Sequence, residues 1–139
     1  MDAWGEGVTG RMDERRELAG QRVFIVEDET LVAAMIEAMV EELGAVVVGT
    51  ESRIAGALNF VAARHRDFDV AVLDLNLGEG HSYDIARAVT GHGIPIVFST
   101  GYTGCAIDEA WRDRPLLNKP FQLADLENAL ARALAERTG

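Results

Sequence analysis

From Arg22 onward, apolar and polar positions alternate in a repeating two-part pattern. Val23-Phe24-Ile25-Val26 is an unbroken run of β-branched and aromatic residues, as a strand buried on both faces requires. Leu31, Met35, Met39 and Leu43 follow at four-residue steps, with Val32, Ile36 and Val40 beside them. That spacing predicts an amphipathic helix, and Gly44 stands where such a helix ends. Ala45-Val46-Val47-Val48 predicts a second strand, and Ser52 stands as an N-cap for a helix burying Ile54, Leu58, Val61 and Ala62. Asp69-Val70-Ala71-Val72-Leu73 predicts a third strand, ending at Asp74. A helix carrying Ile85, Ala86 and Val89 comes next, closed by Gly91 and Gly93. Ile94-Pro95-Ile96-Val97-Phe98 reads as the fourth strand, with its proline near the start, where a missing donor is tolerated. The pattern is weakest from Gly101 to Arg114, where Ala106 to Trp111 fits one short helix. Leu116-Leu117 predicts a brief fifth strand, and Leu123, Leu126, Leu130 and Leu134 a final helix.

Five strands alternating with helices predict an α/β fold, a parallel sheet with helices on both faces. Right-handed crossovers limit the strand orders. For five strands the common open order is 2-1-3-4-5, which places a crevice at the carboxyl ends of strands 1 and 3. Residues 1–19 hold three glycines and mixed charges without a sustained period, so a flexible arm is expected there, with one domain over 20–137.

Composition narrows the function. The chain has 139 residues, room for one domain with a core. Its net charge of −10 argues against a sequence-independent grip on nucleic acid and favours a cationic partner such as a divalent metal. A single cysteine, Cys105, excludes an internal disulfide and suits a reducing compartment. No apolar run is long enough to span a bilayer and no secretory signal opens the chain, so a cytoplasmic location is expected. Of the 13 basic residues only Lys119 is a lysine, within Asn118-Lys119-Pro120-Phe121.

The predicted strands bring chemistry together. Glu27 and Asp28 follow strand 1, Asp74 ends strand 3, Thr100 follows strand 4 and Lys119 follows strand 5. In a parallel sheet these ends share one edge. Three carboxylates packed together repel unless a cation intervenes, and Mg²⁺, which prefers oxygen ligands, is the natural one. A carboxylate is also a nucleophile toward phosphorus, while a metal and an ammonium neutralise charge on a transferring phosphoryl group. A hydroxyl at Thr100 can donate to one of its oxygens. Taken singly, each residue has a plainer reading: a solvated acidic edge, a threonine common after strands, an exposed lysine. Together they converge on one site.

Val23-Phe24-Ile25-Val26-Glu27-Asp28-Glu29, Leu73-Asp74-Leu75-Asn76-Leu77, Thr100 and Lys119-Pro120-Phe121 resemble the receiver domain of two-component response regulators, over about residues 20 to 137. The resemblance implies that Asp74 accepts a phosphoryl group from a sensor histidine kinase. It also implies that Glu27, Asp28, Asp74 and the Asn76 backbone carbonyl organise Mg²⁺, with Thr100 and Lys119 contacting the phosphoryl group and a cis Lys119-Pro120 bond. Pro95-Ile96-Val97-Phe98-Ser99-Thr100-Gly101-Tyr102 further resembles the FAT GUY group of single-domain receivers, with Ser99 where alanine is usual. Such proteins are typically found beside kinases of the HWE or a related type.

Two departures bear on signalling. Receivers carry a switch aromatic three residues before the lysine, where this chain has Leu116. Either Tyr102 substitutes for it or the switch is an ordering of the Gly101 to Arg114 segment, with a short or mobile fourth helix. Gly78 stands where a proline is usual, which implies a more flexible loop. His65, His81 and His92 lack metal-ligand spacing, and Phe60, Trp111 and Phe121 are assigned to packing. The expectation is a phosphoaccepting switch without an output domain, a monomer or weak dimer that acts through an unknown downstream protein or as a phosphate sink, binding neither nucleic acid nor membrane. A phosphorylation-independent adaptor is the alternative, and a Mg²⁺-dependent phosphohydrolase ranks last.

Overall fold

The computed structural model of the protein describes residues 18–101 and 107–138. Five strands, β1 (Arg22–Val26), β2 (Val46–Glu51), β3 (Val70–Asp74), β4 (Ile96–Thr100) and β5 (Leu116–Asn118), pair in parallel in the order β2-β1-β3-β4-β5. The helices are α1 (Thr30–Glu42), α2 (Ile54–Arg64), α3 (Tyr83–Gly91) and α4 (Leu123–Thr138), with 3₁₀ turns at His65–Asp67 and Glu109–Trp111. The expected fold and strand order both hold.

Successive strand residues point to opposite faces, so each central strand feeds two cores. Val23, Ile25, Val72 and Val97 pack with Ile36, Val40, Leu126 and Leu130 from α1 and α4. Phe24, Leu73 and Phe98 pack on the other face with Val61, Ile85, Val89 and Trp111. There the Phe24 ring stacks on Phe60 at 4.2 Å, with Phe68 tilted beside it at 5.2 Å. Each fully buried large side chain contributes roughly 1.5–3 kcal/mol. At the amino edge, Asp69 accepts from the Arg22 backbone N–H at 2.8 Å and pairs with its guanidinium at 2.9 Å, fixing the register of β1 against β3.

Several expectations shift. β4 begins at Ile96, two residues later than expected, because Pro95 has no N–H to pair, although its carbonyl still accepts from Ala71 at 3.2 Å. Thr100 is therefore the last residue of β4, not the one after it. β2 runs on to Glu51, whose carbonyl accepts from the Glu27 N–H at 2.9 Å. The inward stripe of α1 is Ala33, Ile36 and Val40. Leu31 and Met35 face solvent at 85% and 44% exposure, because two adjacent apolar stripes compete and the second one meets the sheet. Gly44 does end this helix: its φ of +87° lets Ala45 N–H return to the Val40 carbonyl at 3.1 Å.

Ser52 does not cap α2. The cap residue is Arg53 without a side-chain bond, and the Ile54 N–H instead donates to the Glu79 carboxylate at 2.7 Å. In that helix Ala57 and Val61 are buried, whereas Ala62 is exposed. The short helix expected over Ala106 to Trp111 appears among the described residues only as the 3₁₀ turn Glu109–Trp111. Tyr102, Cys105 and most of the arm lie outside the described residues. Leu18, at the end of the arm, is buried in the core. Trp111 and Phe121 are buried as expected. No helix among the described residues is long and apolar enough to cross a membrane.

Candidate functional site

Parallel pairing carries the five chemistry-bearing residues to one edge. Glu27 leaves β1, Asp74 and Thr100 end β3 and β4, and Lys119 follows β5, its N–H donating to the Thr100 carbonyl at 2.8 Å. The Lys119 ammonium lies 2.8 Å from Glu27 Oε1 and 3.1 Å from Asp74 Oδ2. The other Asp74 oxygen, Oδ1, accepts from the Asn76 N–H at 3.2 Å, and Glu27 Oε2 accepts from the Glu29 N–H at 3.1 Å. Glu27, Asp74 and Thr100 are all buried.

Burial penalises the charged carboxylates. It pushes Glu27 up to about 7, with the nearby Asp74 adding to the rise and Lys119 opposing it. Burial raises Asp74 as well, against the pull of Lys119. Burial alone would lower Lys119, yet the Glu27 and Asp74 carboxylates together hold its ammonium above the ordinary value. One ammonium thus leaves two buried acids incompletely compensated.

The cleft beside them, about 430 Å³, is lined by Asp28, Glu29, Asp74, Asn76, Gly78, Gly101 and Lys119. Glu27, Asp28 and Glu29 each offer a carboxylate oxygen within 4.8 Å of the others. Such a hard, oxygen-only, under-neutralised donor set fits a small divalent cation. Glu29 and Glu79 are the acids sequence reasoning passed over. The run Glu27-Asp28-Glu29 pointed to the first, and nothing local pointed to the second.

The loop after Asp74 is closed by its own backbone. Leu77 N–H donates to the Gly80 carbonyl at 2.9 Å, Ser82 N–H to that of Leu75 at 3.0 Å, and Asn76 bridges to His81. Gly78 has a φ of +76°, a conformation proline cannot adopt, and a Cβ there would come 3.2 Å from Asp28 Oδ2. Glycine at this position therefore gives Asp28 room. His81 neighbours Asn76 and stacks on Tyr83, while His65 and His92 stack on each other away from this edge. The Lys119-Pro120 bond is cis, as expected.

The sequence profile of the response regulator receiver domain matches residues 23–131. The chain is 30% identical over 132 residues to the phyllosphere-induced regulator PhyR of Methylorubrum extorquens, covering 86% of this chain but only 46% of that protein. It is 26% identical over 119 residues to the response regulator receiver protein CpdR of Brucella abortus, covering 82% of this chain and 97% of that one. The solution structure of SdrG from Sphingomonas melonis Fr1 superposes with a TM-score of 0.70 at 40% identity, covering 88% of this chain and 98% of that one. Fold, profile and relatives agree: the chain belongs to the response-regulator receiver-domain family.

Proposed function

We propose that the protein is a two-component phosphoacceptor, in which Asp74 takes a phosphoryl group from the phosphohistidine of a sensor kinase. The observation that carries this reading is the Lys119 ammonium held between Glu27 Oε1 and Asp74 Oδ2, at 2.8 and 3.1 Å, beside an acidic cleft. In the reaction the Asp74 carboxylate attacks phosphorus as the bond from phosphorus to the imidazole nitrogen breaks, the electron pair returning to the ring. Asn76 N–H and Lys119 orient the carboxylate beforehand. As the acyl phosphate forms, Lys119 follows the negative charge onto the phosphoryl oxygens, and the Thr100 hydroxyl donates to one of them. Glu27, Asp28, Asp74 and the Asn76 carbonyl are the residues to hold Mg²⁺, with Glu29 close by. Bound there, the metal supplies positive charge to the phosphoryl oxygens.

Acetyl phosphate with Mg²⁺ is expected to label the protein, and Asp74→Asn to abolish the label. Labelling of that variant at the unaltered level removes the assignment. Receiver domains partner with histidine kinases and downstream proteins. We assign output to protein contact or phosphate draining, with an HWE-type kinase as donor. The adaptor reading is favoured by Leu116, 40% exposed where receivers carry an aromatic. Equal partner affinity with and without a phosphoryl mimic would select it.

A further inference from the structure

A chain of ring contacts leaves the site by a route other than Leu116. Asn76, beside Asp74, bridges to His81, and the His81 ring stacks on Tyr83 at 5.4 Å and 18°. Tyr83 meets Phe98 edge-on at 6.3 Å, and Phe98 meets Trp111 edge-on at 5.9 Å. Phe98 stands two residues before Thr100 in β4, so both side chains leave the same face of the sheet. The Tyr83 hydroxyl then accepts a hydrogen bond from the Asp108 N–H at 2.9 Å, and the Asp108 carbonyl accepts from Trp111 N–H at 2.9 Å. One tyrosine therefore touches the loop of the candidate phosphoacceptor with its ring and the Glu109–Trp111 turn with its oxygen.

We infer that Tyr83 is the positioning residue that couples the Asp74 loop to the β4–β5 connection, so that phosphorylation resets the Glu109–Trp111 turn through the Tyr83–Asp108 hydrogen bond. This rests on reading Asp74 as the phosphoacceptor. Two ties on the turn differ in kind. Trp111 is buried and anchors it, whereas the hydroxyl bond lies at an exposed amide, where water offers an equal partner. A shift of His81 and Thr100 that turns the Tyr83 ring breaks the second tie and spares the first. A leucine at position 116 brings neither ring nor hydroxyl to this task.

The chain has two tryptophans, so a Trp4→Phe background leaves Trp111 as the sole reporter. Beryllofluoride with Mg²⁺, which mimics an acyl phosphate, is expected to change Trp111 emission. Tyr83→Phe keeps the ring and removes the hydroxyl, and should shrink that change by about fivefold or more while acetyl phosphate still labels Asp74 at the unaltered level. Asp108→Pro deletes the donor from the other side. Asp108 has a φ of −55°, which proline accepts, so the same loss is expected. A full-size response in both variants, or no response in the parent despite labelling, overturns the inference. Absence of labelling in the parent instead removes the phosphoacceptor reading beneath it.

Discussion

At the carboxyl edge of the sheet, four strand ends hold buried Glu27, Asp74 and Thr100 and half-buried Lys119, positioned by backbone pairing and, for the three charged residues, by ion pairing. In the β4–β5 connection the Glu109–Trp111 turn is held by the buried Trp111 ring, by Ile107 packed beside it and by one tyrosine hydroxyl. The first region has more negative charge than its lysine can compensate, which suits a small divalent cation. The second is tied at an exposed amide where water competes, so less work moves it. A switch needs this division: a site that holds its geometry while the ligand changes, and a segment that does not.

The strongest way to break the comparison is Lys119→Met, which removes the cation from the rigid region. Labelling by acetyl phosphate should slow by about 100-fold, since one charged donor to the transition state is lost. Trp111→Ala attacks the other region. It should cost about 3 kcal/mol in urea unfolding yet leave Mg²⁺ affinity nearly unchanged, and a parallel loss of metal binding would show that the regions are not separable. The pH dependence sharpens the contrast. Glu27 titrates at about 7 in the folded chain against an ordinary 4.5, so the folded state keeps a proton that the unfolded state has released. Stability should therefore fall as pH rises from about 5 to about 7, by no more than about 1.4 kcal/mol per pH unit for one proton. Millimolar Mg²⁺ should flatten that slope in stepped-pH denaturation. The smallest effect is Glu79→Ala, expected to cost about 1 kcal/mol by uncapping α2 and to leave the labelling rate in place.

The rigid region was the legible one. Short apolar runs end at or just before Glu27, Asp74 and Lys119, and parallel pairing needs no further information to bring their ends together. Pro95 hid the true start of β4 because a strand can begin after a proline as easily as contain one near its start. Leu31 and Met35 were misplaced because two apolar stripes lie side by side on α1 and periodicity does not say which one the sheet will cover. The Glu79 cap and the Tyr83–Asp108 bond were illegible for a simpler reason. Each joins residues 25 apart through one polar contact with no hydrophobic period to announce it.

The salt bridge from Asp74 to Lys119 spans 45 residues of chain, and the same lysine reaches back to Glu27 on the first strand. Such contacts close late, after the intervening crossovers have docked. A ribosome-bound chain that has not yet delivered its fifth strand lacks the ammonium altogether. With Asp74 as the proposed phosphoacceptor, competence to take a phosphoryl group arrives only together with completion of the sheet.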